Sequence, residues 1–434
     1  MELGTKKEIW SWALYDFANS PFSTSVASVI FNVYFVQVVV GPAGTQFGAV
    51  SVPGTSMWGF AVAASMLLVA VSAPVLGAVA DQGASKKRFL FVFCYSGVIA
   101  TALLYLVEPG DVWLAVGLYI VANLGFEGSF TFYNAFLPEL VDRERMGRVS
   151  GLGWAVGYIA GPLVLALNLA MIQRPEWFGL SASNHTPVRA SMVVVAVWWA
   201  VFAIPIFLWV RERAPAQAPG ENLVAAGFRR LYTTLKHIRS YRELAKFLIA
   251  FLFYNDGIQT VIVMAAVFGA ETLGMTQQEL ILSFILVQAV AFVGALIFGY
   301  LSDRLPTKTA ITITLVIWSG AVLSALFIEE SWQFWVLGAI IGLVLGGSQS
   351  ASRALFARFV PAHKSAEFFG FFSISQKASA LLGPLFFAVI SGITGSTRYA
   401  IVSVIIFFLM GLFGLYFVDE KEGIRQGEEA EATE

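Results

Sequence analysis

Apolar residues occur along this chain in twelve long blocks, separated by short polar or charged segments. The blocks are about twenty residues or longer, the length an α-helix needs to cross roughly 30 Å of hydrocarbon. Short segments of alternating polar and apolar residues, typical of a membrane β-barrel, are not seen. The pattern predicts an all-α integral membrane protein with transmembrane helices at 8–40, 55–80, 88–107, 112–138, 148–172, 189–210, 244–270, 277–302, 308–328, 332–359, 366–393 and 397–418.

The composition supports this class. With 58% hydrophobic and 13% charged residues, a chain of 434 residues has too little polar material to cover two or three soluble domains. The charged start, MELGTKKE, precedes an apolar block too long for a cleaved signal peptide, so we expect the first helix to remain in the mature protein.

Lysine and arginine are distributed unevenly between the two sides of the predicted helices. Of the 27 such residues, 22 fall in the termini and the loops on the termini's side, and three fall on the other side. Cytoplasmic loops carry an excess of these residues. The asymmetry predicts a multi-pass protein of the cell membrane, the inner membrane where there are two, with both termini cytoplasmic.

The longest polar stretch divides the helices into six and six. We expect an N-terminal half at 1–210, a cytoplasmic linker at 211–243, a C-terminal half at 244–418 and an acidic cytoplasmic tail at 419–434. The linker continues as LVAAGFRRLYTTLKHIRSYREL, which predicts a basic amphipathic helix. It would tether the halves and contact anionic lipid headgroups, or alternatively bind a partner.

The two halves carry an internal repeat. GAVAD at 77–81 and GYLSD at 299–303 are 222 residues apart, as are the Gly-Pro pairs at 161–162 and 383–384. YDFANS at 15–20 also aligns with NDGIQT at 255–260. Self-similarity of this kind indicates two like-oriented six-helix repeats.

Two such repeats resemble the major facilitator superfamily, and that resemblance implies its fold and action as a monomer. The superfamily's loop signature, a glycine and an aspartate followed by basic residues, occurs twice. The resemblance implies that these residues latch conformations without touching substrate: Gly77, Asp81, Arg88, Gly299, Asp303 and Arg304.

The motifs YDFANSPF, NAFLPEL and GGSQSASRALFARFVPAHKSAEFFGFFSISQKASALLGP resemble the Atg22-like branch, also called UMF1. Its fungal members are associated with vacuolar amino-acid efflux, which implies amino-acid transport. The fourth helix departs from familiar proton antiporters, because it offers Glu127 where they typically carry an arginine. Whether the chain works by symport or antiport is therefore open.

Five charged residues fall inside the predicted helices: Asp16, Glu127, Asp256, Arg353 and Lys377. Burying a charge in hydrocarbon costs roughly 2.5–3.5 kcal/mol on insertion scales, so such residues normally face a water-filled cavity or a partner. In the superfamily the first, fourth, seventh and tenth helices line the central cavity. By resemblance four of the five charges belong to it, and Lys377 borders it.

Helical spacing also places polar stripes on five helices. We therefore predict a substrate site built from Asp16, Asn19, Tyr133, Asp256, Gln259, Gln349, Arg353 and Lys377. Glu127 has no basic neighbour within a turn of its own helix, and we predict that it carries a coupling proton.

Structural roles are the alternative for each charge. Asp16 lies about two turns from the start of its helix, where a negative charge is favoured by the helix dipole. Arg353 and Lys377 would then pair with Asp256 or Asp16 and hold the two halves together.

The leading function is secondary active transport of a small polar or zwitterionic solute, such as an amino acid or a peptide, by alternating access. No phosphate-binding Gly-x-x-x-x-Gly-Lys loop is present, so the energy should come from an ion gradient, which we expect to be of protons. Lipid-headgroup transport, lipid scrambling or a receptor role is the alternative.

An intramembrane lipid hydrolase is disfavoured, and we expect no enzyme activity. GGSQS at 346–350 lacks the last glycine of a nucleophile elbow, and all three histidines fall in predicted loops. One cysteine and three histidines also predict no metal site and no cofactor, and the net charge of −1 suggests no nucleic-acid partner. The expected partners are the solute, its coupling ion and membrane lipids.

Overall fold

The computed structural model describes residues 3–432 except 48–49, 182, 214–228, 230–231, 233–240 and 381. Within these residues, twelve helices are long and apolar enough to cross a membrane, which confirms the predicted number. They are Lys6–Val40 (span 1), Gly54–Gln82 (span 2), Lys86–Leu106 (span 3), Val112–Leu140 (span 4), Arg143–Gln173 (span 5), Ser183–Trp209 (span 6), Arg242–Leu273 (span 7), Gln277–Arg304 (span 8), Thr307–Ser324 (span 9), Ser331–Phe359 (span 10), Ala362–Thr394 (span 11) and Thr397–Tyr416 (span 12).

Several spans are built from shorter helices. Span 4 divides into Val112–Ala135 and Leu137–Leu140, and span 12 into Thr397–Ser403 and Ile405–Tyr416. The main helices of span 11 are Ser365–Ala378 and Leu382–Thr394. Short 3-10 turns flank or join others, at Leu104–Leu106, Arg143–Arg145, Pro175–Phe178, Ser183–His185 and Ala362–Lys364.

Span 1 changes its helix type at Pro21. A capping box between Thr5 and Glu8 starts the α-helix Lys6–Pro21. Proline has no N–H to donate, and the carbonyl of Phe17, one turn earlier, accepts a bond of 3.0 Å from the Trp198 indole instead. The chain continues as π-helix at Phe22–Val29, α-helix at Phe31–Tyr34 and π-helix at Phe35–Val40. An antiparallel pair of strands, Thr45–Phe47 and Val50–Val52, then leads to span 2.

The first six spans meet the last six along two seams. Span 5 packs against span 8, and span 2 packs against the first helix of span 11. Glycines allow the close approach: a side chain at Gly77 would meet the backbone of Ala366, and one at Gly299 would meet the carbonyl of Gly147. The seams therefore use equivalent positions of the repeat, as expected for two related six-helix units.

The residues after span 6 are attached to the end of the bundle where both termini lie, which we call the terminal end. The Arg213 guanidinium contacts the Glu8 carboxylate at 2.8 and 2.9 Å. Glu212 accepts from the backbone N–H of Lys86 at 2.6 Å, and burial raises the pKa of its carboxyl. The predicted amphipathic helix of the linker lies almost entirely outside the described residues.

The acidic tail forms a helix, Glu420–Ala432, across the terminal end. Glu420 accepts from the backbone N–H groups of Thr307 and Lys308 at 2.9 and 2.8 Å, at the start of span 9. Arg143, the first residue of span 5, pairs with Glu428 at 3.2 Å and with Glu431 at 3.3 Å. The tail thus contacts both sets of six spans.

Candidate functional site

A large central cavity lies between the two sets of spans, with a volume of about 1250 Å³. Six of the residues predicted for substrate binding or coupling line it: Asn19, Glu127, Gln259, Gln349, Arg353 and Lys377. The walls also carry many aromatic side chains, among them Phe126, Phe130, Trp154, Tyr158, Phe251 and Phe372. Asp16, Tyr133 and Asp256, also predicted to bind substrate, are not among the lining residues.

The cavity extends to the end of the bundle opposite the termini. Its lining includes Trp58, Leu280 and Phe334, which lie within the first two turns of spans 2, 8 and 10. Those turns are at the far end, because each of these spans runs toward the terminal end. In the other direction the lining stops near Arg353. The cavity therefore opens away from the termini.

The first latch closes the terminal end between spans 2 and 11. Asp81 accepts from the backbone N–H groups of Ala366 at 3.2 Å and Glu367 at 2.8 Å, at the start of a helix in span 11. Lys86 is fully buried, lies 3.4 Å from Asp81 and also pairs with Glu139. The carboxylate is thus held by a helix N-terminus and a lysine.

The second latch is its counterpart between spans 8 and 5. Asp303 accepts from the backbone N–H groups of Gly147 at 2.9 Å and Arg148 at 3.2 Å. The Arg148 and Arg358 side chains each lie 3.2 Å from its carboxylate. Asp81 and Asp303 thus each contact a helix start in the other set of spans, and their role as conformational latches stays a prediction.

The predicted basic partners of these latches need correction. Arg88 and Arg304 are exposed, and the structure places Lys86 at the first latch and Arg148 and Arg358 at the second. Successive side chains on a helix point about 100° apart, so Arg88 points away from the buried side that Lys86 occupies. A basic cluster in the sequence does not reveal which member turns inward.

The floor of the cavity is a buried ion pair between Asp16 and Arg353, 3.1 Å apart. The Tyr133 hydroxyl donates to the same Asp16 oxygen at 2.8 Å. The Arg353 nitrogen that contacts Asp16 also donates to the Asn134 side chain at 3.2 Å, and the other two nitrogens donate to the Ser150 hydroxyl at 2.9 Å and the Ser150 carbonyl at 2.6 Å. Arg353 is only 2% exposed, so these contacts join span 10 to spans 1, 4 and 5 and leave it little reach toward a solute.

Aromatic rings surround this arginine. Its guanidinium carbon lies 5.0 Å from the centre of the Trp12 ring, 5.2 Å from Trp154 and 5.7 Å from Tyr133. Cation–π attraction therefore supplements the ion pair in a dry environment. The structural alternative for Arg353, pairing with a buried carboxylate, describes this geometry, with Asp16 as the partner and not Asp256.

A second ion pair lies on the cavity wall, where the Lys377 ammonium is 2.5 Å from the Glu127 carboxylate. Their side chains are 20% and 12% exposed, so solvent in the cavity reaches both. Lys377 therefore does not pair with Asp256 or Asp16. Glu127, which has no basic neighbour on its own helix, has a basic partner on another span. The pair links the two sets of six spans at the wall, because Glu127 is on span 4 and Lys377 is on span 11.

Asp256 is fully buried beside the interruption of span 11. One of its oxygens accepts from the backbone N–H of Gly383 at 2.9 Å, at the start of Leu382–Thr394. Its neighbours Asn255 and Gln259 line the cavity, but Asp256 itself does not. The predicted contact with substrate is not available to it here.

Asn19 presents an unused amide to the cavity. Neither its nitrogen nor its oxygen has a hydrogen-bond partner among the described residues, although the side chain is fully buried. Several other polar groups of the wall are paired: Tyr158 donates to Gln349, and Asn255 donates to the Ser379 hydroxyl at 2.5 Å. A buried amide normally forms hydrogen bonds, so Asn19 is a good candidate to bind a solute.

Known proteins are similar to this chain in sequence over nearly its whole length. The sequence model of a family described as "Vacuole effluxer Atg22 like" matches residues 4–428. An uncharacterized MFS-type transporter of Bacillus subtilis, YxiO, is 34% identical over 422 residues, with 97% of this chain and 96% of the relative covered. Autophagy-related protein 22 of Saccharomyces cerevisiae is 24% identical, covering 98% of this chain and 94% of that protein.

Solved structures share the fold. The proton:xylose symporter XylE superposes with a TM-score of 0.74 at 15% identity, covering 98% of both chains. The transporter FucP in its outward conformation gives a TM-score of 0.72 at 11% identity, covering 95% of this chain and 100% of the other. At such identities the likeness shows the major facilitator fold alone.

Proposed function

The chain belongs to the Atg22-like family of major facilitator superfamily transporters, and we propose that it carries a small zwitterionic solute, such as an amino acid or a short peptide, by alternating access. The family and its relatives are transporters and not enzymes. The solute, its coupling ion and the direction of transport are parts of the proposal.

The observation that carries it is the Glu127–Lys377 pair on the cavity wall. A zwitterion carries one ammonium and one carboxylate, so it can enter between these two residues and replace one ion pair with two. The unused amide of Asn19 offers a further donor and acceptor in the same cavity. The aromatic walls suit an apolar side chain, since ligand sites combine such surfaces with a few placed polar groups.

The same pair supports proton coupling. Protonation of Glu127 removes its negative charge and releases Lys377, which weakens a link between the two sets of six spans. A group that links the two sets of spans in this way can gain a proton on one side of the membrane and lose it on the other. We propose protons as the coupling ion on this basis.

The test of the solute class is a thermal-unfolding screen of the purified protein against amino acids, short peptides and muropeptides. A true solute should raise the unfolding temperature of the wild type, because it binds the folded state. Asn19→Ala should reduce that rise. Asn168→Ala is the matched control, because Asn168 is also fully buried but lies outside the cavity lining and donates to Ser25.

Uptake of the stabilising compound into proteoliposomes then separates solute transport from lipid movement. We expect labelled solute to accumulate while a fluorescent phospholipid stays in its leaflet. Scrambling of the lipid without any solute transport would show that the cavity serves headgroups and would refute the proposed solute class.

We propose that both termini are cytoplasmic in the cell membrane, which makes the present conformation outward-facing. The uneven distribution of lysine and arginine supports this orientation. Exposed cysteines introduced at Ala43 and Glu176, on the far end, should react with an impermeant thiol reagent in intact cells, whereas one at Glu144 should not. The single native cysteine, Cys94, is buried, so the parent protein should stay unlabelled. Labelling at Glu144→Cys alone would reverse the orientation.

A further inference from the structure

Three aspartates in this protein accept hydrogen bonds from the first turn of a helix in another span. Asp81 holds the start of a helix in span 11, Asp303 holds the start of the main helix of span 5, and Asp256 holds the start of Leu382–Thr394. The arrangement is the same each time: a carboxylate meets the positive end of a helix dipole.

The first two aspartates also have a full positive charge beside them. Lys86 lies 3.4 Å from Asp81, and Arg148 and Arg358 lie 3.2 Å from Asp303. Both oxygens of each carboxylate accept a backbone N–H bond. A helix N-terminus supplies only about half a positive charge, so the basic side chains complete the neutralisation.

Within the described part of the chain, no basic side chain forms an ion pair with Asp256 to complete its neutralisation. Its Oδ1 accepts from Gly383, and the backbone N–H of Leu382 also interacts with the carboxylate, but its Oδ2 is buried without a hydrogen-bond partner among the described residues. The Thr260 hydroxyl donates to the backbone carbonyl of Asp256, not to its carboxylate. On the side of span 12, a side chain at the neighbouring position Gly257 would meet the Phe408 ring and the Phe407 Cβ, both of which are neutral.

Charged groups elsewhere in the cavity are already paired. Lys377, the basic residue of span 11 nearest in sequence to the interruption, contacts Glu127, and Arg353 contacts Asp16. Neither is available to Asp256 in this conformation. A bare carboxylate oxygen at this depth of a membrane protein is costly unless a cation reaches it.

We propose that Oδ2 of Asp256 is a binding site for a small monovalent cation, Na⁺ or H⁺, separate from the solute cavity. The cation supplies the charge that Lys86 supplies to Asp81 and that two arginines supply to Asp303. Asn255 and Gln259 lie on the cavity wall at either side of Asp256 along its helix, so we expect an ion to reach the site from the cavity.

The position of the site gives the cation a structural effect. Asp256 is bonded to the second helix of span 11, and Lys377 lies at the end of the first, Ser365–Ala378. A change at Asp256 therefore acts on the junction that positions Lys377 against Glu127. The inference concerns ion binding alone and does not depend on which solute is carried.

The experiment measures unfolding temperature in detergent with NaCl, KCl or choline chloride at equal ionic strength, over a range of pH. If Na⁺ is the ligand, NaCl should stabilise the wild type more than choline chloride does. If H⁺ is the ligand, the folded state holds a proton that the unfolded state releases, so the stability of the wild type relative to a neutral variant should fall as pH rises. In either case the stability of the Asp256→Asn variant should no longer depend on the cation.

Two further variants control this measurement. Asp256→Ser keeps an uncharged side chain that can accept from the helix N-terminus, so it covers the case in which the Asn variant does not fold. Asp303→Asn removes the corresponding carboxylate of the second latch, where Arg148 and Arg358 already supply the charge, and it should keep the cation dependence of the wild type. If the unfolding temperatures of the wild type and of the foldable Asp256 variants change with salt and pH in the same way, in all three salts and at every pH, the proposal is overturned.

Discussion

The Asp16→Asn variant should be less stable than the wild type by about 3–5 kcal/mol, the usual cost of removing one partner from a buried ion pair. The effect is large because Arg353 cannot lose its charge and is only 2% exposed. Arg353→Gln should cost less, because Asp16 can take up a proton once the guanidinium is gone. Thermal unfolding followed by tryptophan fluorescence measures both effects.

The pairing itself is tested by the double variants. Asp16→Asn combined with Arg353→Gln should recover most of the stability lost by Asp16→Asn, because neither charge is then left alone. Arg353→Gln combined with Asp256→Asn should show no such recovery, since Asp256 is not the partner of Arg353. Rescue by the Asp256 change and not by the Asp16 change would contradict the arrangement at the cavity floor.

The Glu127→Gln variant should lose solute accumulation driven by a pH gradient. With one proton per solute, a gradient of one pH unit stores about 1.4 kcal/mol and sustains about a tenfold concentration ratio, whereas the variant should reach a ratio of about one. Glutamine resembles the protonated carboxyl in size and neutrality, so exchange of solute between equal solutions should continue. Proton movement, followed with a pH-sensitive dye in the same vesicles, should disappear in parallel.

Lys377→Gln separates coupling from binding in this experiment. It leaves Glu127 able to titrate but removes the proposed partner of the solute carboxylate, so thermal stabilisation by the solute should weaken. A Glu127→Gln protein that still concentrates solute in response to an imposed pH gradient would exclude Glu127 as the proton carrier, and Asp256 would become the candidate.

The latches suggest how the cavity could change sides. Asp81 and Asp303 each hold a helix start across a seam between the two sets of spans, and both lie at the terminal end. Opening that end would require both aspartates to leave their helix starts together. Since the motifs repeat at equivalent positions of the two six-helix units, one rocking motion can break both contacts.

The sequence by itself determined the number of spans, the internal repeat and the family. Each depends on local information: hydropathy over about twenty residues, the period of the helix, and motifs that recur at a fixed offset. Helical spacing likewise placed Asn19, Gln259 and Gln349 on polar stripes of their own helices, because residues three or four apart share a face, and the structure brings these stripes to one cavity. The five charges within the membrane spans were also recognised from sequence, since a charge within an apolar block is rare.

Only the tertiary structure decided which charges meet. Asp16 and Arg353 are 337 residues apart, and no local pattern selects Arg353 over Lys377 as the partner of Asp16. The packing of spans 1, 4, 5 and 10 makes that choice, and the approach of spans 4 and 11 brings Glu127 to Lys377. Whether Asp256 reaches the cavity and whether Lys86 or Arg88 turns inward depend on the rotation of each helix about its axis. That rotation is set by contacts with neighbouring spans, which the order of residues in one helix does not specify.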